Sequence, residues 1–369
     1  MVLYLINSKY LFDIDNQTLS KQNLICKKNN NCELFKYDRY SKINNIDLVK
    51  ECRGIIINRK TRKFLCLPPI KNENEKTFLD NNNLQDCNIE EFIDGTMVNI
   101  YWNDNKIHYS TRSQIEADEQ NYGILRGSFK ELFLEVLTKY NFNLEDNLDK
   151  DICLSCVLCH VDNTIVKQHK ENQIYLVEAK RIVDDKYNIL DINDSKELKN
   201  ILFERPNQYS FENIDELYTH LDIQPYEFKG FILKNNNNTT KIMNKTYLEM
   251  MDLRRLDIKN TKNLYYTIKQ SGQLTKFLKY FPIYSSIFTN YKLEYENLIN
   301  FLYINYRKRW VIKNNRVKKI SDLKYECRPI IYNLHKKYLS SRNIITKNVI
   351  NEYIINLPIH SILNTLKVL

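Results

Sequence analysis

The chain has 369 residues, 43% hydrophobic and 12% aromatic, which is enough for two domains with real cores and argues against global disorder. Its net charge of +10 is unevenly placed: residues 256–369 hold 20 Lys and Arg against 6 Asp and Glu, leaving the first 255 at −4. No apolar run approaches the about 20 residues of a membrane span, the first fifteen residues do not read as a secretion leader, and nine scattered cysteines argue against a disulfide framework; a cytoplasmic protein is the expectation.

In chain order, Ile55-Ile56-Ile57 reads as a strand, and the polar stretch 72–88 as a loop. Met97–Trp102 and Ile107–Ser110 read as paired strands joined by a hairpin turn at Asn103-Asp104-Asn105. Tyr122–Tyr140 reads as a helix, because Leu125, Phe129, Leu132, Phe133 and Val136 share one face. Further strands are expected at Ile174–Ala179 and Phe231–Leu233, with Asn235–Asn238 turning the chain into a run that begins at Lys241. After Arg255 the period changes: Tyr291, Tyr295, Leu298, Leu302 and Tyr306 follow helical spacing, as do Thr346–Ile355 and Ile359–Val368, with Pro358 between them. The expectation is a mainly stranded domain over 1–255 and a basic α-helical domain over 256–369.

Six runs in the first domain stand in a fixed order: Glu51-Cys52-Arg53-Gly54, Leu67-Pro68-Pro69-Ile70-Lys71, Glu91-Phe92-Ile93-Asp94-Gly95-Thr96, Ser110-Thr111-Arg112-Ser113, Phe228-Lys229-Gly230-Phe231 and Lys241-Ile242-Met243-Asn244-Lys245. His160–Val166 followed by Ile174–Arg181 lies between the fourth and fifth of these. Three of only six glycines (Gly54, Gly95 and Gly230) fall inside the runs. Over about residues 34–255 this pattern resembles the RNA ligases of bacteriophage and viral tRNA repair, which are covalent nucleotidyltransferases. The resemblance implies an α+β fold of the DNA/RNA-ligase type, unrelated to ATP-grasp, with antiparallel sheets around a cleft and an α-helical C-terminal domain.

The resemblance breaks where chemistry should occur. In that family a lysine in Lys-x-Asp-Gly-Ser/Thr attacks the α-phosphate of ATP, which a lysine amine can do when its pKa is depressed. Here the position is Phe92, beside Asp94 and Gly95, and a phenyl ring cannot attack phosphorus. The family's ribose-gripping Glu aligns with Val157 or Cys156, with Glu178 as a displaced substitute. Its metal-binding Glu-Gly is Lys229-Gly230, with Glu227 on the same face if this segment is a strand, and Met243 replaces one of two phosphate-contacting lysines. Arg53, Lys71, Arg112, Lys229 and Lys241 remain as basic groups for a nucleotide or phosphate cleft, and Lys229 is expected to take over the metal's electrostatic role. No metal site is expected; ATP and magnesium enter only if ligase activity survives. Cys153-x-x-Cys156-x-x-Cys159-His160 has metal- and haem-like spacing, but on a strand Cys156 points away from the other two, so buried structural cysteines are expected.

In the C-terminal region Arg307, Lys308, Arg309 and Trp310 are followed by Lys313, Arg316, Lys318 and Lys319. Cations interleaved with an aromatic suit phosphate contacts plus base stacking; a helix C-terminus complementing its own dipole is the plainer alternative. The functional expectation is a catalytically degenerate RNA-ligase-like protein of a virus that binds RNA, such as tRNA or RNA ends. An active ATP-dependent RNA ligase with displaced residues, and an interaction subunit built on the ligase fold, are the alternatives. Protein partners stay open.

Overall fold

A computed structural model describes residues 3–4, 11, 13–38, 47–118, 127–184, 186–235, 238–255, 258, 260–312 and 324–367. The chain divides into two compact units, Met1–Asp252 and Leu253–Leu369.

The first unit is built on three antiparallel sheets. A six-stranded sheet runs in the order Leu3–Tyr4, Lys186–Leu190, Gln173–Val183, Ile152–Cys159, Thr96–Asn103, Lys106–Ser110. A four-stranded sheet runs Gln208–Tyr209, Asn88–Glu91, Gly230–Asn235, Asn238–Met243. A second four-stranded sheet holds Leu24–Lys28, Cys32–Tyr37, Arg53–Asn58 and Phe64–Cys66. Period-two alternation sorts the six-stranded sheet's side chains. Val98, Ile100, Leu154, Cys156, Leu158, Ile174 and Leu176 share one face and pack on Leu132, Phe133 and Val136 of helix Phe129–Leu137. Tyr101 and Cys153 face the other way, into the core of the third sheet, while Val157 and Cys159 pack with Ile93.

The expected strands form, and the turn at Asp104-Asn105 has φ of +47° and +59°, the conformation a two-residue hairpin needs. The turn near Asn235–Asn238 joins two paired strands, with 236–237 outside the described residues. Two expectations need correction. The stretch 72–88 is no simple loop: it contains helix Glu75–Asn81, capped by Asn74 and held by the fully buried Phe78. The helix expected over 122–140 begins only at Phe129, because Ser128 and Glu131 form a capping box there; Leu125 lies outside the described residues.

The second unit is helical throughout its described length, with Thr261–Gln270, Leu274–Tyr280, the 26-residue Ser285–Trp310, Arg328–Ser341, Lys347–Ile355 and Ile359–Leu366. Thr346 caps the fifth of these and Pro358 precedes the sixth. Its core is aromatic: Tyr265, Tyr266, Phe277 and Phe288 are fully buried or nearly so. Among the described residues no helix is long and apolar enough to cross a membrane.

Candidate functional site

Residues 92–95 carry the chain from strand Asn88–Glu91 of one sheet to strand Thr96–Asn103 of another, so they span the gap between the two. The crossing is tight. A Cβ at Gly95 would lie 2.5 Å from the Leu158 carbonyl oxygen. The Phe92 N–H donates to Gly230 O at 2.8 Å. Gly230 itself has φ of +138°, and a Cβ there would meet Ile242 O at 2.1 Å. These constraints hold residue 229 against the position where the resemblance places a nucleophile.

Lys229 fills that corner. Its Nζ lies 3.9 Å from the Phe92 ring centroid and 3.5 Å from Asp94 Oδ1, and donates to Ile93 O at 3.4 Å. Asp94 is buried and saturated with donors: the Tyr247 hydroxyl donates to Oδ1 at 2.6 Å, and the Val166 and Lys167 N–H groups donate to Oδ2 at 3.1 and 2.9 Å. Burial holds the Lys229 ammonium below the ordinary lysine range; Asp94 pulls the other way, and nearby Lys241 adds to the depression. The Cys159 thiol, pushed up to about 12 by burial and by Asp94, stays protonated and donates to Asp94 O.

The other basic residues form a row of like charges. Lys71 and Arg112 each lie 4.3 Å from the Tyr37 ring centroid. Arg53 donates to Ile70 O at 3.2 Å. Desolvation lowers Lys71, and Arg112 lowers it further; desolvation lowers Lys241, and Arg53 lowers it further. Lys241 pairs in register with Ile232, whose side chain lines the cleft, so it stands on the cleft side of its strand. Arg53, Arg112 and Lys241 make no salt bridge among the described residues, and Arg112 Nε is buried without a partner there.

Between the sheets lies a cleft in two compartments. The inner one, lined by Arg53, Phe92, Met97, Val157, Val177 and Ile232, has free space of about 70 Å³. The outer one, of about 360 Å³, is lined by Asn88, Lys180, Asp191 and Asn193 among others. Glu90, Val177, Glu178, Lys234 and Thr239 line both. Lys234 crosses between the sheets: its Nζ lies 2.6 Å from Glu90 Oε2 and donates to Val177 O at 3.0 Å.

Of the two residues aligned with the ribose-gripping Glu, Val157 stands in the cleft and Cys156 in the core on the opposite face. Glu178 also reaches the cleft, where Lys180 holds it at 2.8 Å. Glu227 sits in a turn, and the strand starts only at Gly230, so the same-face argument for Glu227 does not apply. Met243 pairs with Gly230 at the end of its strand. Cys153, Cys156 and Cys159 go to three different cores, and no three His, Cys, Asp or Glu residues are grouped to hold a metal among the described residues. Sequence reasoning did not single out Tyr37, Lys234 or Tyr247. Tyr247 lies two residues past the run Lys241–Lys245, but nothing in its spacing pointed to Asp94.

In the helical unit Arg307, Lys308 and Arg309 occupy the last turn of helix Ser285–Trp310, where cations complement the dipole. Arg307 and Lys308 are exposed. Trp310 lies flat on His335, ring centroids 3.6 Å apart and planes 4° apart, so one face of the indole is already covered. Lys313, Arg316, Lys318 and Lys319 lie outside the described residues.

No family model matches the chain. It is 24% identical over 282 residues to an Autographa californica nuclear polyhedrosis virus protein described as a bifunctional polynucleotide kinase/RNA ligase, an alignment covering 70% of this chain and 38% of that protein. The chain also aligns, at 22% identity over 290 residues, with an immediate-early protein ICP-46 homolog of invertebrate iridescent virus 3, covering 71% of this chain and 61% of that protein. It thus spans less than two thirds of the length of either viral relative. Among solved structures, an archaeal ATP-dependent RNA ligase superposes with a TM-score of 0.41 at 11% identity, covering 75% of this chain and 69% of that one.

Proposed function

We propose that this RNA-ligase-like chain is a non-catalytic RNA-binding protein, a pseudoenzyme that engages tRNA or RNA ends through their phosphates without forming a covalent adenylate. The observation that carries the reading is the Lys229 ammonium, seated on the Phe92 ring and 3.5 Å from Asp94. A fixed cation occupies the corner that a reactive lysine and a metal-binding carboxylate would share. The positive field a divalent ion would supply then comes from the protein, and RNA phosphates are held without metal. The basic turn at Arg307–Arg309 supports nucleic-acid contact in the helical unit. The setting that fits a virus-related chain of this kind is the host cytoplasm.

Removing a covalent nucleophile typically costs on the order of a million-fold in turnover. Purified protein incubated with α-labelled ATP and magnesium or manganese should therefore show no label that survives denaturation. One observation favours a second reading, an active ligase with displaced residues: Lys229 is itself a desolvated lysine beside residue 92. A stable label mapping to Lys229 would establish that reading and end the first.

A further inference from the structure

The two halves of the cleft are unequal in what they can admit. The inner compartment has free space of about 70 Å³, whereas small-molecule sites run to about 300–1,000 Å³. Phe92 takes part of that space, and Met97, Val157, Val177 and Ile232 line the remainder with apolar surface. The wall toward the outer compartment is not a soft one: Lys234 ties the two sheets together through Glu90 and the Val177 carbonyl. The outer compartment is large enough for a small ligand, and it mixes Asp191, Asn193 and the Glu178–Lys180 pair with Ile189, Leu190 and Ile192.

The cations are in the opposite condition. Desolvation lowers Arg53, and Arg112 lowers it further while Glu178 pulls the other way; Arg53 in turn lowers Lys241, and none of the three makes a salt bridge among the described residues. Like charges brought together and desolvated cost free energy unless an anion relieves them. The Arg112 Nε, buried and unpartnered there, adds a donor that an anion could satisfy.

We propose that this cleft is a polyphosphate site that no longer admits a nucleoside: Arg53, Lys71, Arg112 and Lys241 hold the terminal phosphate of an RNA or an inorganic polyphosphate, while Phe92 and the Lys234 bridge close the compartment where a base would go. This rests on the RNA-binding reading for the source of the phosphate, though not for the site. The ligand chemistry is a multiply charged phosphate; adenosine contributes nothing to its affinity.

The test titrates the full-length protein in EDTA with inorganic tripolyphosphate, ATP and adenosine by calorimetry, and with 5′-phosphorylated and 5′-hydroxyl RNA by fluorescence anisotropy. Tripolyphosphate should bind within about threefold of ATP, adenosine should not bind, and Arg112→Ala combined with Lys241→Ala should weaken tripolyphosphate at least tenfold. Phe92→Ala should raise the ATP affinity at least tenfold over that for tripolyphosphate. Wild-type ATP binding tenfold tighter than tripolyphosphate, any binding of adenosine, no binding of tripolyphosphate, or tripolyphosphate binding untouched by the double variant would each overturn the proposal. Tripolyphosphate binding with no discrimination between the two RNAs would leave this site standing as one for free polyphosphate and remove the RNA-end reading instead.

Discussion

In the sheet unit, Arg53 lines the cleft and is desolvated, Arg112 lies on the Tyr37 ring, and Lys241 stands on the cleft side of its strand. In the helical unit, Arg307 and Lys308 stand in solvent on the last turn of helix Ser285–Trp310. Both groups are basic, yet their physics differs. In the first, Arg53 and Arg112 are held by backbone carbonyls, which suits a phosphate of particular placement. The second is screened by salt and adaptable, so it adds affinity with little discrimination. Net charge alone would have ranked the helical unit first as the functional end of the chain; the proposed phosphate site places specificity in the near-neutral unit instead.

The comparison can be broken at several points. The largest effect should come from Asp94→Ala, which strands a desolvated Lys229 and removes the acceptor of Tyr247, Val166 and Lys167. Breaking a buried pair this way costs about 3–5 kcal/mol, read as a shift in urea unfolding. Lys229→Met leaves Asp94 with its three other donors and should cost distinctly less, about 1–3 kcal/mol. Equal losses would show that the corner is not organised around the carboxylate.

Next in size are the ligand effects. The Arg112→Ala and Lys241→Ala pair should lower polyphosphate affinity at least tenfold, or about 1.4 kcal/mol. Arg307→Ala with Lys308→Ala should leave polyphosphate affinity alone. It should instead weaken RNA binding uniformly across sequences and reduce the slope of log affinity against log salt by about 1–1.5, since each single-strand phosphate contact contributes roughly 0.7. If the two double variants behave alike, the distinction between held and screened cations fails.

The smallest effect is on pH dependence. Burial lowers the pKa of Lys71, Lys229 and Lys241, so below the ordinary lysine value of about 10.4 the unfolded chain holds more protons than the folded one. The share of stability that depends on these lysines therefore rises with pH across that window, and Lys→Met variants should flatten the rise. Phosphate binding runs the other way: an anion needs the charged form, so tripolyphosphate affinity should fall as pH climbs toward about 10, earlier than free lysines would dictate. A flat binding profile up to that pH would show that the lysines are not in the site.

Much of this architecture was legible in the chain. Alternation marked the strands at Met97–Trp102 and Ile107–Ser110, and Asn103–Asn105 marked their turn. The five basic residues of the proposed phosphate site were picked out because each sat in one of the ordered runs, two of them beside Gly54 and Gly230; of the five, only Arg53 lines the cleft compartments. Helix Glu75–Asn81 was not legible, because one buried residue, Phe78, anchors it and gives no period to read. The start of helix Phe129–Leu137 was written in Ser128 and Glu131, whose capping signal the apolar face extending upstream concealed. The two bonds that shape the cleft could not be read at all. Tyr247 meets Asp94 across 153 residues and Lys234 meets Glu90 across 144, and no local pattern records such a contact.

The most direct measurement is the affinity of full-length protein for one short RNA bearing either a 5′-phosphate or a 5′-hydroxyl, taken in EDTA and again in magnesium. The account predicts at least a tenfold preference for the phosphate, the same with and without metal, and its loss in Lys229→Glu. Equal affinity for the two RNAs, or a preference that appears only with magnesium, would contradict it.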